Sequence, residues 1–555
     1  MPTTALPPIA KRYAKALCHL NHARRTQRLG LILGAGVSDD LKIPRWKNLI
    51  AMLETQLNYK SGSAPESYRA EQLFQHYRKR KMEELSELTD ENLDAAIAAG
   101  WREVVAKCLY KKFIAKNGKL DMNAYKKNIK QHPYLSKLGR LAQEAQLVVS
   151  HNFDDALEVA IDLDPSISAP PNRRYHSFWR PEPFLRRGMV NIYHPNGFTP
   201  MRAGVRGSES LVLTEASFAD HLANTNTEES HFLLRHLADK TCLIIGHSLA
   251  DGTLKNALRQ HANLRPAHVN YYLHWSRHGE ASLSNSQKDA IREANFETYN
   301  LVTMFVDSSD IAEILRAVSM GEDELEGFLA HNSMVSRYVY YIVGAVSAGK
   351  STTLRHLRDL ATIEEWPSHM PTIMNRPSVG LKKLQAKTID EQLEDAIWIK
   401  NGEIRNIKTG VVAVDRAPLD FIAFPAKRTE SLGTTARKRG SAVLERLEIS
   451  KLRDLCPGQV VVLQADIEVL LARQLQRGGR TKPAEAADGS AGRYLERQQE
   501  RLSTIYRVAI DAGSVAKTDR CSIALSVKSV ARIIHFGDYK PFDFSKRLRA
   551  IQKGK

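Results

Sequence analysis

Residues 338–360 read YVYYIVGAVSAGKSTTLRHLRDL: an apolar run, a loop bounded by glycines, then a stretch with helical spacing. The loop Gly344-Ala-Val-Ser-Ala-Gly349-Lys350-Ser351 fits the pattern GxxxxGK[ST], and its setting between strand and helix is the one that pattern needs. Backbone N–H groups and the helix start surround phosphate oxygens, Lys350 supplies a point charge near the β- and γ-phosphates, and the Ser351 hydroxyl can ligate Mg2+. Gly344, Gly349, Lys350, Ser351 and Thr352 are therefore candidate ligands of ATP or another nucleoside triphosphate. A chance glycine-rich turn lacks this strand-loop-helix setting.

Downstream, the apolar run 410–415 ends in Asp415-Arg416, where a carboxylate at a strand end meets Mg2+ or a substrate hydroxyl; Ser351 and Asp415 form the candidate metal pair. A third run, VVVLQAD (460–466), precedes Arg473, Arg477 and Arg480. Arg473 and Arg477 share one helical face, an arrangement that neutralises charge on a transferring phosphate; its plain alternative is a solvated basic face. Residues 470–493 read as a lid whose latter part, TKPAEAADGSAGR (481–493), has loop composition.

The first half of the chain has the same rhythm. Strand-like runs at 28–36, 146–153, 189–194, 210–214 and 241–248 alternate with helical segments such as 44–57 and 231–238. Short apolar strands alternating with helices predict mostly parallel sheets covered on both faces. The expectation is an α/β protein of two doubly wound domains, residues 1–330 and 331–555, with a helical insertion at about 60–130. The short boundary near 325–337 predicts packed rather than loosely tethered domains.

The first of these strands leads into Gly34-Ala35-Gly36-Val-Ser38, where glycines let a backbone approach a pyrophosphate. Ser-His151-Asn152-Phe-Asp154 follows the second, His194-Pro-Asn196-Gly197 the third, and Gly246-His247-Ser248-Leu-Ala-Asp251 the last. All four sets fall at the carboxyl edge of one sheet, where open α/β folds bind nucleotides. His151 and His247 read as structural.

This series, over about 28–265, resembles the SIR2-like domain of bacterial antiphage defence proteins, sirtuin relatives that usually hydrolyse NAD+. The resemblance implies that Gly34, Ala35, Gly36 and Ser38 contact the cofactor phosphates, that Asn152 and Asp154 orient the nicotinamide ribose and the attacking water, and that Gly246 and Ser248 contact the adenosine side. Relatives commonly carry a histidine before the glycine of the third loop; this chain has Asn196 there and His194 two residues earlier. An amide binds a hydroxyl but takes no proton near neutral pH. Three readings stay open: His194 substitutes, catalysis relies on Asn152, or NAD+ binds without cleavage. Residues 338–540 resemble the thymidylate-kinase and deoxynucleoside-kinase group. That implies Asp415 and Arg416 at the acceptor or metal and Arg473, Arg477 and Arg480 in the lid, with no motif for the acceptor base.

At 555 residues, and about 150 residues per domain, the length alone implies two to four domains. The five cysteines form no CxxC pair, which excludes a disulfide framework and a cysteine zinc ribbon, and with it the ribbon of sirtuin deacylases. No apolar run reaches the roughly 18 residues of a membrane span, and the first residues lack a signal-peptide h-region, so a cytoplasmic protein is expected. The net charge of +18 favours phosphorylated ligands and admits nucleic acid, for which no reader motif is present. The expected function is an antiphage effector that hydrolyses NAD+, forms a homo-oligomer, and is governed by its P-loop domain through nucleotides or a phage-derived trigger. The alternative is a nucleoside or nucleotide kinase whose SIR2-like domain binds NAD+ without catalysis.

Overall fold

Leu29–Leu33 is buried at every position, as are Val190–Tyr193 and Thr241–Ile245. Strands apolar on both faces can only sit in the middle of a layered structure, with helices above and below. In the computed structural model, which describes residues 8–554 apart from 86–88, 116, 168, 171–172, 203–204, 224–227, 250, 276–282, 367–385, 425–429, 477–488 and 520–521, they do. The chain divides into two α/β units: residues 23–262 with 270–319, and residues 1–22 with 263–269 and 320–555.

The first unit holds a seven-stranded sheet with neighbours in the order β3-β4-β2-β1-β5-β6-β7. The strands are β1 (Leu29–Leu33), β2 (Leu147–Ser150), β3 (Tyr175–Phe178), β4 (Val190–Tyr193), β5 (Thr241–Ile245), β6 (Asn270–Trp275) and β7 (Leu301–Val306). Every pairing is parallel. The order turns back at β1: β2, β4 and β3 lie on one side and β5, β6 and β7 on the other. That reversal makes a crevice beyond the carboxyl ends of β1 and β5. Between β1 and β2 the chain is helical, including Glu66–Glu84 and Asp90–Leu109, with its own core of Leu53, Leu73, Tyr77 and Trp101.

The run 210–214 is not a strand. Its Leu211 and Leu213 are buried in that helical core, and the segment turns into the helix Glu215–Ala223. Its apolarity serves packing, without a strand partner.

The second unit has five parallel strands in the order β12-β11-β8-β10-β9: β8 (Arg337–Gly344), β9 (Ala361–Ile363), β10 (Gly410–Asp415), β11 (Gln459–Gln464) and β12 (Val515–Lys517). Asp415 pairs with Ile342, which sets the acid beside the mouth of the phosphate loop. Residues 490–493 of the expected loop belong to the helix Ser490–Ile505. Among the described residues no helix is long and apolar enough to cross a membrane.

Gly246 has φ +71°, and a Cβ there would lie 2.4 Å from the backbone N of Val37. Gly246→Ala should therefore cost roughly 1–3 kcal/mol from the left-handed backbone alone and more from the clash, lowering the thermal midpoint of the first unit by several degrees in calorimetry.

Candidate functional sites

Four loops meet at the carboxyl edge of the first sheet. Gly34 donates its N–H to Ile245 O at 2.9 Å and Gly36 to Gly246 O at 2.8 Å, so the loop after β1 lies directly on the loop after β5. A Cβ on Gly34 would meet Gly246 O at 2.7 Å, and one on Gly36 would meet the same atom at 2.8 Å. These glycines are required by loop-on-loop packing before any ligand arrives. Ala35 between them is exposed, as is Ser248 beyond Gly246. The segment Ala35–Leu41 is a 3-10 helix rather than the start of a long α-helix.

Ser38 is the hub. Its hydroxyl donates to Asp154 Oδ1 at 2.9 Å and accepts from Asn152 Nδ2 at 3.5 Å, and Ala156 N–H also donates to Asp154 Oδ1 at 3.0 Å. Burial raises the Asp154 carboxyl to about 6, against the Ala156 and Ser38 donors and with help from the Glu158 carboxylate. Asp155 rises further, to about 7, for burial and the same crowding of carboxylates. Asn196 donates through Nδ2 to His151 O at 3.3 Å. The Oδ1 atoms of Asn152 and Asn196 are buried and have no hydrogen-bond partner.

The two histidines differ in what their ring nitrogens meet. His194 is fully buried, with Nδ1 3.0 Å from Asn152 O and Nε2 2.8 Å from Glu158 Oε1. With both ring nitrogens engaged it holds the backbone of Asn152 and has no lone pair to offer a substrate. His151 is the opposite case: its Nδ1 lies 3.2 Å from Asp251 Oδ2 as an ion-pair contact, and neither buried ring nitrogen has a partner in hydrogen-bond geometry. Asp251 is itself fixed, since Thr253 N–H donates to its Oδ1 at 2.8 Å and Leu254 N–H at 3.3 Å. Although burial opposes it, the pairing with His151 and the helix N–H groups hold this carboxyl far below the usual range. His247 packs edge-on against His151 with centroids 5.1 Å apart, and one donor atom from each of His151, His247 and Asp251 lies within 4.8 Å of the others.

In the second unit Gly349 sits at φ +94°, and Lys350 Nζ folds back onto Gly344 O and Ala345 O, 3.0 Å from each. Burial lowers this lysine to about 8, with the Arg416 guanidinium adding to the effect. Ser351 Oγ donates to Asp415 Oδ2 at 3.3 Å, and Asp415 Oδ1 is buried without a hydrogen-bond partner, so hydroxyl and carboxylate are placed as a pair that fits Mg2+. Thr352 follows on the same helix, half-buried. Arg416 binds Glu365 rather than facing open solvent, and Asp420 Oδ2 lies 3.9 Å from its Nη1. Arg473 is committed to the backbone and hydroxyl of Thr518, which in turn donates to Ala348 O at 3.1 Å; this guanidinium braces the phosphate loop instead of standing free as a lid group. Arg477 and Arg480 lie outside the described residues.

A cavity beside Asp415 is lined by Glu365, Trp366, Lys400, Arg416, Asp420 and Phe421 among others. Lys400 Nζ donates to Asp415 O at 2.6 Å, and burial lowers it to about 8. Neither Glu365 nor Lys400 belongs to a motif; Glu365 stands two residues past β9, a strand too short to read from the sequence.

The fold and the sites define the class: an α/β protein with two parallel sheets, each carrying a candidate nucleotide-type site at its carboxyl edge. Residues 146–304 match the family model of the SIR2-like domain. No curated protein matches the sequence. Among solved structures the chain is similar to deoxyadenosine kinase from M. mycoides with bound dATP (18% identity, 35% of this chain and 96% of that one, TM-score 0.25). It is similar also to shikimate kinase from Acinetobacter baumannii in complex with shikimate (15% identity, 36% and 93%, TM-score 0.20).

The raised carboxyls give a pH signature. A folded pKa of about 7 at Asp155, above the ordinary 3.8, means that the native state keeps a proton the unfolded chain has lost. The resulting stability is present below about pH 4 and is lost as pH rises through about 7, a difference of at most about 4 kcal/mol. Asp155→Asn should flatten this fall, so that mutant and wild-type unfolding free energies converge or cross between pH 4 and 8 in denaturant titrations. A mutant curve parallel to wild type throughout would contradict it.

Proposed function

We propose that the first unit binds NAD+ at the carboxyl edge of its sheet and hydrolyses the bond between nicotinamide and ribose. The supporting observation is a set of buried acceptor atoms without partners, Asn152 Oδ1, Asn196 Oδ1 and His151 Nε2, on adjoining loops beside the Gly34–Gly36 and Gly246 contact. Unsatisfied buried polar groups are costly and call for a ligand or bound water to complete them. Ribose hydroxyls have the chemistry to do so. The SIR2-like match covers Asn152, Asp154, Asn196 and Gly246.

In this reading water attacks the C1′ carbon of the nicotinamide ribose, the glycosidic C–N bond breaks, and nicotinamide leaves with the bonding pair. The products are ADP-ribose, nicotinamide and a proton. Asn152 orients ribose and water, Asp154 fixes Asn152 through Ser38, and the proton goes to His151, whose ring is oriented by Asp251 in the manner of a carboxylate-supported base. His194 is a positioning residue. Asn196 binds a hydroxyl.

The second unit binds a nucleoside triphosphate and Mg2+ through Gly344–Thr352 and Asp415 and governs NAD+ turnover; loss of NAD+ in an infected cell is the route to antiphage defence. A second reading, phosphoryl transfer to a small hydroxylated acceptor, is favoured by the cavity in which Glu365, held below the usual carboxylate range by Arg416 and Lys350 against its burial, lies beside Asp415.

Purified protein incubated with NAD+ and ATP, with each nucleoside added in turn, tests both by product identification. NAD+ should yield nicotinamide and ADP-ribose. Asn152→Ala should abolish this with folding intact, and His151→Gln should lower turnover by roughly 10²–10⁴. NAD+ left intact under every nucleotide condition would refute the hydrolase, and a phosphorylated nucleoside in that case would establish the kinase.

Lys350→Ala should abolish ATP binding in calorimetry. If ATP governs the first unit, the same change should alter NAD+ turnover by about 5- to 150-fold, the usual range of a coupling free energy. Unchanged turnover would show two independent units.

A further inference from the structure

Residues 8–22 group with the P-loop unit, although the chain runs on from them into β1 of the other unit. The bonds that hold them there are specific. Lys15 donates to Gly537 O at 2.8 Å and also to Ile534 O, Cys18 Sγ donates to Ser336 O at 3.2 Å, and Asn21 Nδ2 donates to Met320 O at 2.8 Å. One turn beyond Lys15, His19 is completely buried, with Nε2 3.1 Å from the backbone O of Asp359 and 3.7 Å from its carboxylate. The Asp359 side chain is 1% exposed. His535, the last residue of the helix Ile523–His535, presents its ring 5.4 Å from that of His19, and its Nε2 is buried without a hydrogen-bond partner. One donor atom from each of His19, Asp359 and His535 lies within 4.8 Å of the others.

We propose that His19, Asp359 and His535 form a binding site for a divalent transition-metal ion of the zinc class, which fastens the N-terminal helix to the P-loop unit.

Two imidazoles and one carboxylate make a borderline donor set. It suits Zn2+ and its first-row neighbours, whereas Mg2+ and Ca2+ take sets built of oxygen. The three ligands come from three separated segments: the helix Ile9–Arg25, the connection between the phosphate-loop helix and β9, and the helix before the C-terminal segment. A metal here therefore closes long loops, the situation in which a cross-link adds most to stability. Tetrahedral Zn2+ with bonds of about 2.1 Å sets its ligands about 3.4 Å apart, so binding draws the donors together by at most about 1.4 Å and releases His19 from the Asp359 carbonyl. A water would complete the tetrahedron. Asp359 stands two residues before β9, which leads to Glu365, so the ion would also steady the strand beside the cavity.

The test is metal analysis of the untagged full-length chain after exhaustive dialysis against a weak chelator. Wild type should retain one equivalent of zinc, His535→Ala and Asp359→Asn should lose it, and His151→Ala, in the other His/Asp cluster, should keep it. Since a core variant can misfold, two measurements use wild type alone. Zinc added back to stripped protein should raise its thermal midpoint, and Co2+ in its place should give the visible d–d absorption of a tetrahedral nitrogen/oxygen site. Metal-free wild type that neither melts higher with Zn2+ nor colours with Co2+ would overturn the proposal. So would zinc lost in His151→Ala and kept in His535→Ala.

Discussion

Gly36 donates its backbone N–H to Gly246 O, and the two loops that meet there leave no room for a side chain at Gly34, Gly36 or Gly246. This contact lies just past the reversal of strand order between β1 and β5, where the crevice of an open parallel sheet opens. Everything else in the first site is referred to it. The segment beyond Gly36 carries Ser38, Ser38 holds both Asp154 and Asn152, and the loop beyond Gly246 carries Asp251, which holds His151. Widening the contact by one Cβ displaces both ends of that chain.

The second site follows the same logic with different chemistry. Parallel register between β8 and β10 sets Asp415 against Ile342, two residues before the phosphate loop, and Ser351 can then reach the carboxylate. Around it Lys350, Lys400, Arg416, Glu365, Asp415 and Asp420 form a buried net of opposite charges. Such a net is expensive to desolvate and weak as a stabiliser, which makes a binding role the better account of it. Lys350 rests on the carbonyls of Gly344 and Ala345 in its own loop, its charge held at the carboxyl end of β8.

Both sites show how far the local sequence can be trusted. GxxxxGK[ST], the acid ending β10 and the polar residues ending β1, β2, β4 and β5 are legible because an apolar run followed by glycine, asparagine or aspartate marks a strand end wherever it occurs. The strands NYYLHW (270–275) and LVTMFV (301–306) extend the sheet without being among the runs expected from the sequence, although Asp307 follows the second of them just as an acid ends β10. SLVLT (210–214) looks like a strand for the converse reason: burial against helices and burial in a sheet select the same side chains.

The sequence by itself determined two parallel α/β sheets, the phosphate loop and the order of the four polar loops, since each depends on residues within a few positions of one another. Tertiary structure alone decided which histidine has a lone pair to spare. His194 and His151 both follow buried strands and each has one carboxylate beside it, Glu158 and Asp251; what separates them is the Asn152 carbonyl, which takes up the second ring nitrogen of His194. It also decided that Arg473 braces the phosphate loop through Thr518, that Glu365 and Lys400 flank a cavity, and that Lys15 and Cys18 bond to groups more than 300 positions distant. Those outcomes rest on contacts between segments far apart in the chain, and a side chain's unused bonding capacity is a property of its neighbours in space, which no local pattern records.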